Sequence, residues 1–231
     1  MRDFDSTDLE FPTPGDAFDG RTFDAVLFDM DGTLISSIDL TERCWGAWMQ
    51  RYGFDASFYH QFHGTPAKSI IEQLLPAEQF DEAFAYILEL ELSTTEGITP
   101  LPGALDLLAS LPDSARAIVT SMTRDLFVLR SGATGIEVST VVCADEVERG
   151  KPDPMPYVTA ARILGVDPAR CLVVEDAPAG LDSGRAAGAA TLAVGTSHSF
   201  DALTADAYLT SLSDVRFNWD EPSATFSVTD A

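Results

Sequence analysis

Residues 24–29 are apolar on both sides of an extended chain, with Ala25 and Leu27 on one and Val26 and Phe28 on the other. A half-exposed strand alternates apolar and polar positions, so this run predicts a strand buried on both faces of a sheet. Four similar runs follow at 115–121 (ARAIVTS), 139–144 (STVVCA), 171–176 (CLVVED) and 189–194 (AATLAV). Helical stretches separate them at 102–110, 124–132, 154–164 and 178–187. Strands alternating with helices of about ten residues predict an α/β fold with a doubly wound parallel sheet.

The rhythm breaks after the first strand. Residues 37–98 read as consecutive amphipathic helices at 38–52, 67–75 and 79–92, an α-helical unit inserted into the sheet domain. GITPLPG at 97–103 reads as the return hinge. Trp45 and Trp48 share one face of the first helix, where packing inside the insertion accounts for them better than ligand stacking. The predicted division is an acidic flexible leader at 1–21, anchored by Phe4 and Phe11, and a core at 22–36 and 99–216. The helical unit occupies 37–98 and a polar tail 217–231.

Charge narrows the partners. The chain of 231 residues carries 37 acidic and 14 basic side chains, a formal net charge of −23. Its two lysines, Lys68 and Lys151, stand against 24 aspartates. Nucleic acid and anionic membrane surfaces are excluded as partners, because phosphates would be repelled. Such a surface suits a high-salt cytosol as well as an ordinary one and carries no functional argument. The acidic N-terminus lacks a basic start and an apolar segment, and no apolar run approaches the roughly 20 residues of a membrane span, so a cytoplasmic protein is expected. Cys44, Cys143 and Cys171 are isolated and suggest reduced core thiols rather than zinc ligands. A monomer or weak homodimer is expected.

In an open parallel sheet, ligands bind at the carboxyl ends of the strands. Those ends deliver Asp29 and Asp31, then Thr120 and Ser121, then Lys151 in CADEVERGKPDP, then Glu175 and Asp176. Residues two apart in a strand face the same way, so both aspartates of DMDGT can enter one pocket. Carboxylates gathered so closely repel one another unless a cation lies among them, and hard oxygen ligands suit Mg²⁺. Metal, lysine and hydroxyl donors together would accept a phosphoryl group. One carboxylate can then attack phosphorus, while the other protonates the leaving oxygen and later activates water.

These residues resemble the haloacid dehalogenase-like hydrolase superfamily over about 23–216, through DMDGT (29–33), the threonine ending AIVT (117–120), GKPDP (150–154) and VVEDAPAG (173–180). The resemblance implies a Rossmann-like core with the inserted α-helical unit as a mobile cap domain over the pocket. It implies Asp29 as nucleophile, Asp31 as acid/base, and Thr120 and Lys151, with Ser121, as phosphate binders. It further implies Mg²⁺ held by Asp29, the main-chain carbonyl of Asp31, and Asp176, with Glu175 assisting. Asp31 argues against dehalogenation, since dehalogenase members lack that second acid.

VEDAPAGLDSGRAAGA and HGTPAKSII are similar to the branch of sugar phosphatases, glycerol-3-phosphatases and β-phosphoglucomutase. That implies a phosphatase hydrolysing a small sugar or polyol phosphate monoester through an aspartyl-phosphate. His63, Thr65 and Lys68 are the cap candidates for contact with this phosphorylated metabolite. Two alternatives stand beside it, a phosphomutase and a non-catalytic metal-binding regulator of the same fold. Thr41 and Ala67 replace the histidine and arginine of the mutase pattern, and Lys68 is the substitute anchor for a second phosphate. Met122 and Thr123 depart from the phosphatase pattern, and Met122 and Arg124 are expected to alter the pocket floor.

Overall fold

A computed structural model describes residues 11–62 and 65–231. The chain opens with α1 (Pro14–Ala17), β1 (Thr22–Phe23) and β2 (Ala25–Phe28), followed by β3 (Ile35–Ser36). The helical insertion then runs through α2 (Ile38–Arg51), α3 (Ala67–Leu74) and α4 (Phe80–Leu92), and β4 (Thr99–Pro100) pairs antiparallel with β3 at its exit. Next come α5 (Ala104–Ala109), β5 (Arg116–Val119), α6 (Arg124–Thr134), β6 (Val141–Val142) and α7 (Met155–Leu164). The remainder is β7 (Cys171–Glu175), α8 (Pro178–Ala186), β8 (Ala190–Val194), β9 (Ala207–Leu209), β10 (Val215–Asp220) and β11 (Thr225–Asp230).

The principal sheet has the order β6-β5-β2-β7-β8-β9, all parallel. All four residues of β2 are buried, and its two faces belong to separate clusters. Val26 and Phe28 join the larger cluster, where Phe28 lies 6.2 Å from the Phe217 ring, and Ala25 and Leu27 cluster with Tyr157, Ala160 and Ala161 of α7. That is why its sequence shows no alternation. The chain leaves β2 in both directions across the sheet, so a crevice opens at the carboxyl ends of β5, β2 and β7. The edge strand β9 was not among the predicted strands, being only three residues long.

In the insertion, Trp48 donates from Nε1 to the Ala83 carbonyl at 2.9 Å and ties α2 to α4. Trp45 stacks on Tyr59 with centroids 5.1 Å apart. The three cysteines are free and buried. Among the described residues no helix is long and apolar enough to cross a membrane.

Two expectations need correction. The residues read as a polar tail form the β10–β11 hairpin, which pairs with β1 as a three-stranded antiparallel sheet. Phe217, Phe226 and Val228 alternate with polar residues along it and bury their side chains, with Phe226 5.6 Å from the Phe23 ring. Residues 11–21, read as a flexible leader, are tied down. Thr13 caps α1 and donates to Asp230 at 2.8 Å, Phe18 is buried, and Phe11 packs against Phe200 and Tyr208. Phe4, the other proposed anchor, lies outside the described residues.

Candidate active site

The loop after β2 is wound tightly by the Met30 carbonyl, which accepts from the backbone of Thr33, Leu34 and Ile35. Gly32 takes φ +84°, and a Cβ there would overlap the carboxylate of Asp176. The DMDGT turn therefore presses against the end of β7, bringing Asp29 and Asp176 together. Asp29 anchors its own amide on the Val174 carbonyl at 2.9 Å, and Thr33 donates to Asp176 at 3.3 Å.

Lys151 reaches into this acidic group. Its Nζ lies 2.6 Å from Asp29 Oδ1, 2.6 Å from Glu175 Oε1 and 2.9 Å from the Val119 carbonyl, so all three protons are directed. Glu175 is fully engaged. Oε1 also accepts from the Tyr157 hydroxyl at 2.8 Å, and Oε2 accepts from the amides of Asp176 and Ala177. Gly180, at the start of α8, leaves the room that this carboxylate fills.

Burial, then the charge of Glu175, pushes Asp29 above its ordinary carboxyl range, although Lys151 pulls it down. The same two causes push Asp176 up to about 7. Burial alone would depress Lys151, but the charges of Asp29 and Glu175 and their hydrogen bonds hold it above its usual value. Asp29, Glu175 and Asp176 each place one ligand oxygen within 4.8 Å of the others. Three buried carboxylates against one ammonium leave negative charge that a divalent cation would balance, so the donor set fits a hard metal ion.

Asp31 faces elsewhere. Its Oδ1 accepts from Arg130 Nη1 at 2.5 Å and from the Ser37 hydroxyl. Arg130, on α6, is only 1 % exposed, and its Nη2 reaches Thr41 Oγ1 of α2 at 3.3 Å and Glu91 Oε1 of α4 at 3.5 Å. Burial raises Glu91, Arg130 draws it down and Asp31 raises it again, which together leave it at about 7. The guanidinium thus links the second acid of the pair to two helices of the insertion.

These groups share a cavity of about 990 Å³ between the sheet ends and the insertion, lined by Asp29, Asp31, Lys151, Glu175 and Asp176. Ser121, Thr65 and Lys68 line it too. Lys68 sits 3.9 Å from Glu72 with its side chain 65 % exposed. Thr120 ends β5 just behind the wall, buried, its hydroxyl accepting the Met122 amide at 3.1 Å. His63 lies outside the described residues. Met122, Thr41 and Ala67 line the cavity, but Arg124, expected at its floor, does not: it is held on Glu146 at 2.6 Å and on the Val141 carbonyl. Sequence reasoning missed Arg130, Glu91, Thr33 and Tyr157.

The model of the haloacid dehalogenase-like hydrolase family matches residues 26–194, the stretch holding every strand-end group just described. The chain belongs to this family. It is similar to hexitol phosphatase A of Escherichia coli (strain K12), 41% identical over 175 residues, 73% of this chain and 81% of the relative. It is also similar to validoxylamine A 7'-phosphate phosphatase of Streptomyces hygroscopicus subsp. limoneus, 33% identical over 87% of this chain and 100% of the relative. Among solved structures, β-phosphoglucomutase from Clostridium difficile covers 82% of this chain and 92% of its own at TM-score 0.72. At 20% identity that likeness is one of fold.

Proposed function

We propose that this haloacid dehalogenase-like hydrolase is a Mg²⁺-dependent phosphatase that cleaves a small sugar or polyol phosphate monoester through an aspartyl-phosphate. The observation that carries the reading is Lys151 Nζ held 2.6 Å from both Asp29 and Glu175, beside Asp176, in one cavity with Asp31. The two curated relatives, named for a hexitol and for validoxylamine A 7'-phosphate, support the substrate class.

Asp29, the Asp31 main-chain carbonyl and Asp176 would hold the ion, with Glu175 acting through its charge and its grip on Lys151. Bound there, the ion supplies charge neutralisation for the carboxylates and phosphoryl oxygens. Lys151 and the hydroxyls of Thr120 and Ser121 bind the remaining phosphoryl oxygens. An Asp29 oxygen attacks phosphorus, the P–O bond to the carbon frame breaks, and Asp31 gives its proton to the departing oxygen. Asp31 then takes a proton from water, whose oxygen attacks the same phosphorus and returns Asp29 as a free carboxylate with inorganic phosphate. The helical insertion, acting as a cap, excludes bulk water during the first transfer. Thr65, Lys68 and His63 are the proposed substrate contacts from the cap.

A phosphomutase needs a firm anchor for a second phosphate. Lys68, its candidate, is exposed and shared with Glu72, which favours hydrolysis. The test is phosphate release from a broad panel of phosphorylated metabolites with Mg²⁺, expected to be strongest on hexitol, hexose and glycerol phosphates. Folded protein that releases phosphate from none of them would overturn the proposal.

A further inference from the structure

Among the described residues lining the cavity, nine side chains are acidic and four are basic. Each of the four basic groups is already matched. Lys151 lies between Asp29 and Glu175, Arg149 bonds Asp153 at 2.7 Å, and Lys68 faces Glu72. Arg130 is shared between Asp31 at 2.5 Å and Glu91 at 3.5 Å. A divalent ion would balance the three acids around Lys151, and a phosphoryl group then adds negative charge of its own. On the far side, among the described residues, the single guanidinium of Arg130 faces the two carboxylates of Asp31 and Glu91.

The leaving oxygen of an ester would sit beside Asp31, and the cavity wall continues from Asp31 to Arg130, Glu91 and Thr41, so part of the carbon frame would pass these groups. There the hydroxyl of Thr41 and the carboxylate of Glu91 offer hydrogen-bond partners to hydroxyl groups. A second anion would meet a guanidinium whose charge is already engaged, at low exposure, with the Glu91 carboxylate facing it. At such short range and reduced dielectric, like-charge repulsion outweighs any residual attraction.

We infer that the cavity selects against a second negative charge, accepting esters whose carbon frame bears only hydroxyls and rejecting matched esters that end in a carboxylate, with Glu91 as the determinant. This rests on the phosphatase reading and adds to it a residue and a rule. Two matched pairs test it: sorbitol 6-phosphate against 6-phosphogluconate, and sn-glycerol 1-phosphate against 3-phospho-D-glycerate. Each pair differs only in a CH₂OH or a carboxylate at the far end.

With the full chain and Mg²⁺ at pH 8, above the value of about 7 at which Glu91 titrates, kcat/KM for the hydroxyl-ended member of a hydrolysed pair should exceed that of its carboxylate partner by roughly tenfold or more. Glu91→Gln, shown folded by circular dichroism, should narrow that ratio severalfold through a lower KM for the carboxylate ester. Glu91→Asp, which keeps the charge, should retain it. A wild-type ratio near one, or an unchanged ratio in folded Glu91→Gln, overturns the inference. The wild-type ratio decides alone if the variants do not fold. Absence of phosphate release from any ester in the wider panel would instead remove the phosphatase reading.

Discussion

Arg130 Nη1 of α6 lies 2.5 Å from Asp31 Oδ1, so the second carboxylate of the DMDGT turn is held by a helix far along the chain. The same guanidinium touches Thr41 and Glu91 of the insertion. The core and the insertion therefore meet at one buried charge, beside the group assigned to proton transfer. A buried cation with two carboxylate partners is costly to remove, because its partners stay behind.

Arg130→Met should destabilise the protein by about 3 kcal/mol at pH 8, where the buried Glu91 must either stay ionised without a counter-charge or take up a proton from dilute supply. At pH 5 the loss should be smaller. Glu91 already titrates at about 7 in the folded protein, and without Arg130 its value rises further. A carboxyl raised above its unfolded value of about 4.3 favours folding at low pH and loses that contribution as pH rises through the folded value. Urea unfolding of both proteins at pH 5 and pH 8 reads the difference.

Asp29→Asn should lower kcat on an aryl phosphate ester by at least about 10³-fold, because the amide oxygen does not replace a carboxylate nucleophile. Circular dichroism should be unchanged, since Lys151 keeps Glu175 and the Val119 carbonyl as partners. Retained turnover would remove Asp29 from the nucleophile's role.

Mg²⁺ should raise the melting temperature more at pH 8 than at pH 5. Without the ion, Asp176 titrates at about 7, so it holds a proton in mildly acidic solution and loses it as pH rises, and burial and Glu175 shift Asp29 in the same upward direction. Protons and metal compete for these oxygens. At a hundredfold excess over Kd the stabilisation approaches about 2.7 kcal/mol, roughly 5 °C or more for a chain of this size. Thermal scans with MgCl₂ and with EDTA at both pH values check it, and Asp176→Asn should abolish the shift.

Phe226→Ala should cost about 3–4 kcal/mol while leaving kcat within about twofold. The ring is fully buried between Phe23 and Phe217, in the hairpin that the chain's polar C-terminal composition conceals, and it does not line the cavity. Denaturant midpoints and steady-state kinetics on the same preparation separate the two effects. An unchanged midpoint would mean that the hairpin contributes little to the core.

The two-sided apolar runs foretold the parallel sheet, because burial on both faces leaves no polar positions for alternation. Their order foretold that Asp29, Lys151, Glu175 and Asp176 would meet, since parallel strands bring their carboxyl ends to one edge. The C-terminal hairpin was missed because exposed positions of a small antiparallel sheet are polar, and alternation over so few residues resembles a loop. Arg130 and Glu91 did leave a trace. Arg130 follows Leu126 by four residues and precedes Thr134 by four, and Glu91 follows Ala83 and Ile87 at the same spacing, so each charge sits on a buried helical stripe.

The sequence by itself thus determined the sheet, the inserted helices and the acidic strand ends, all of which arise from local periodicity and from chain order. Only the tertiary structure decided that Asp31 turns to Arg130, that Glu175 spends its oxygens on Lys151, Tyr157 and two amides, and that every basic group lining the cavity is matched. Pairings of that kind join residues as much as 122 positions apart, as Asp29 and Lys151 are, and the one between Asp31 and Arg130 depends on how the insertion docks over the sheet. A charge on an apolar stripe announces that it needs a partner, and packing alone chooses which one.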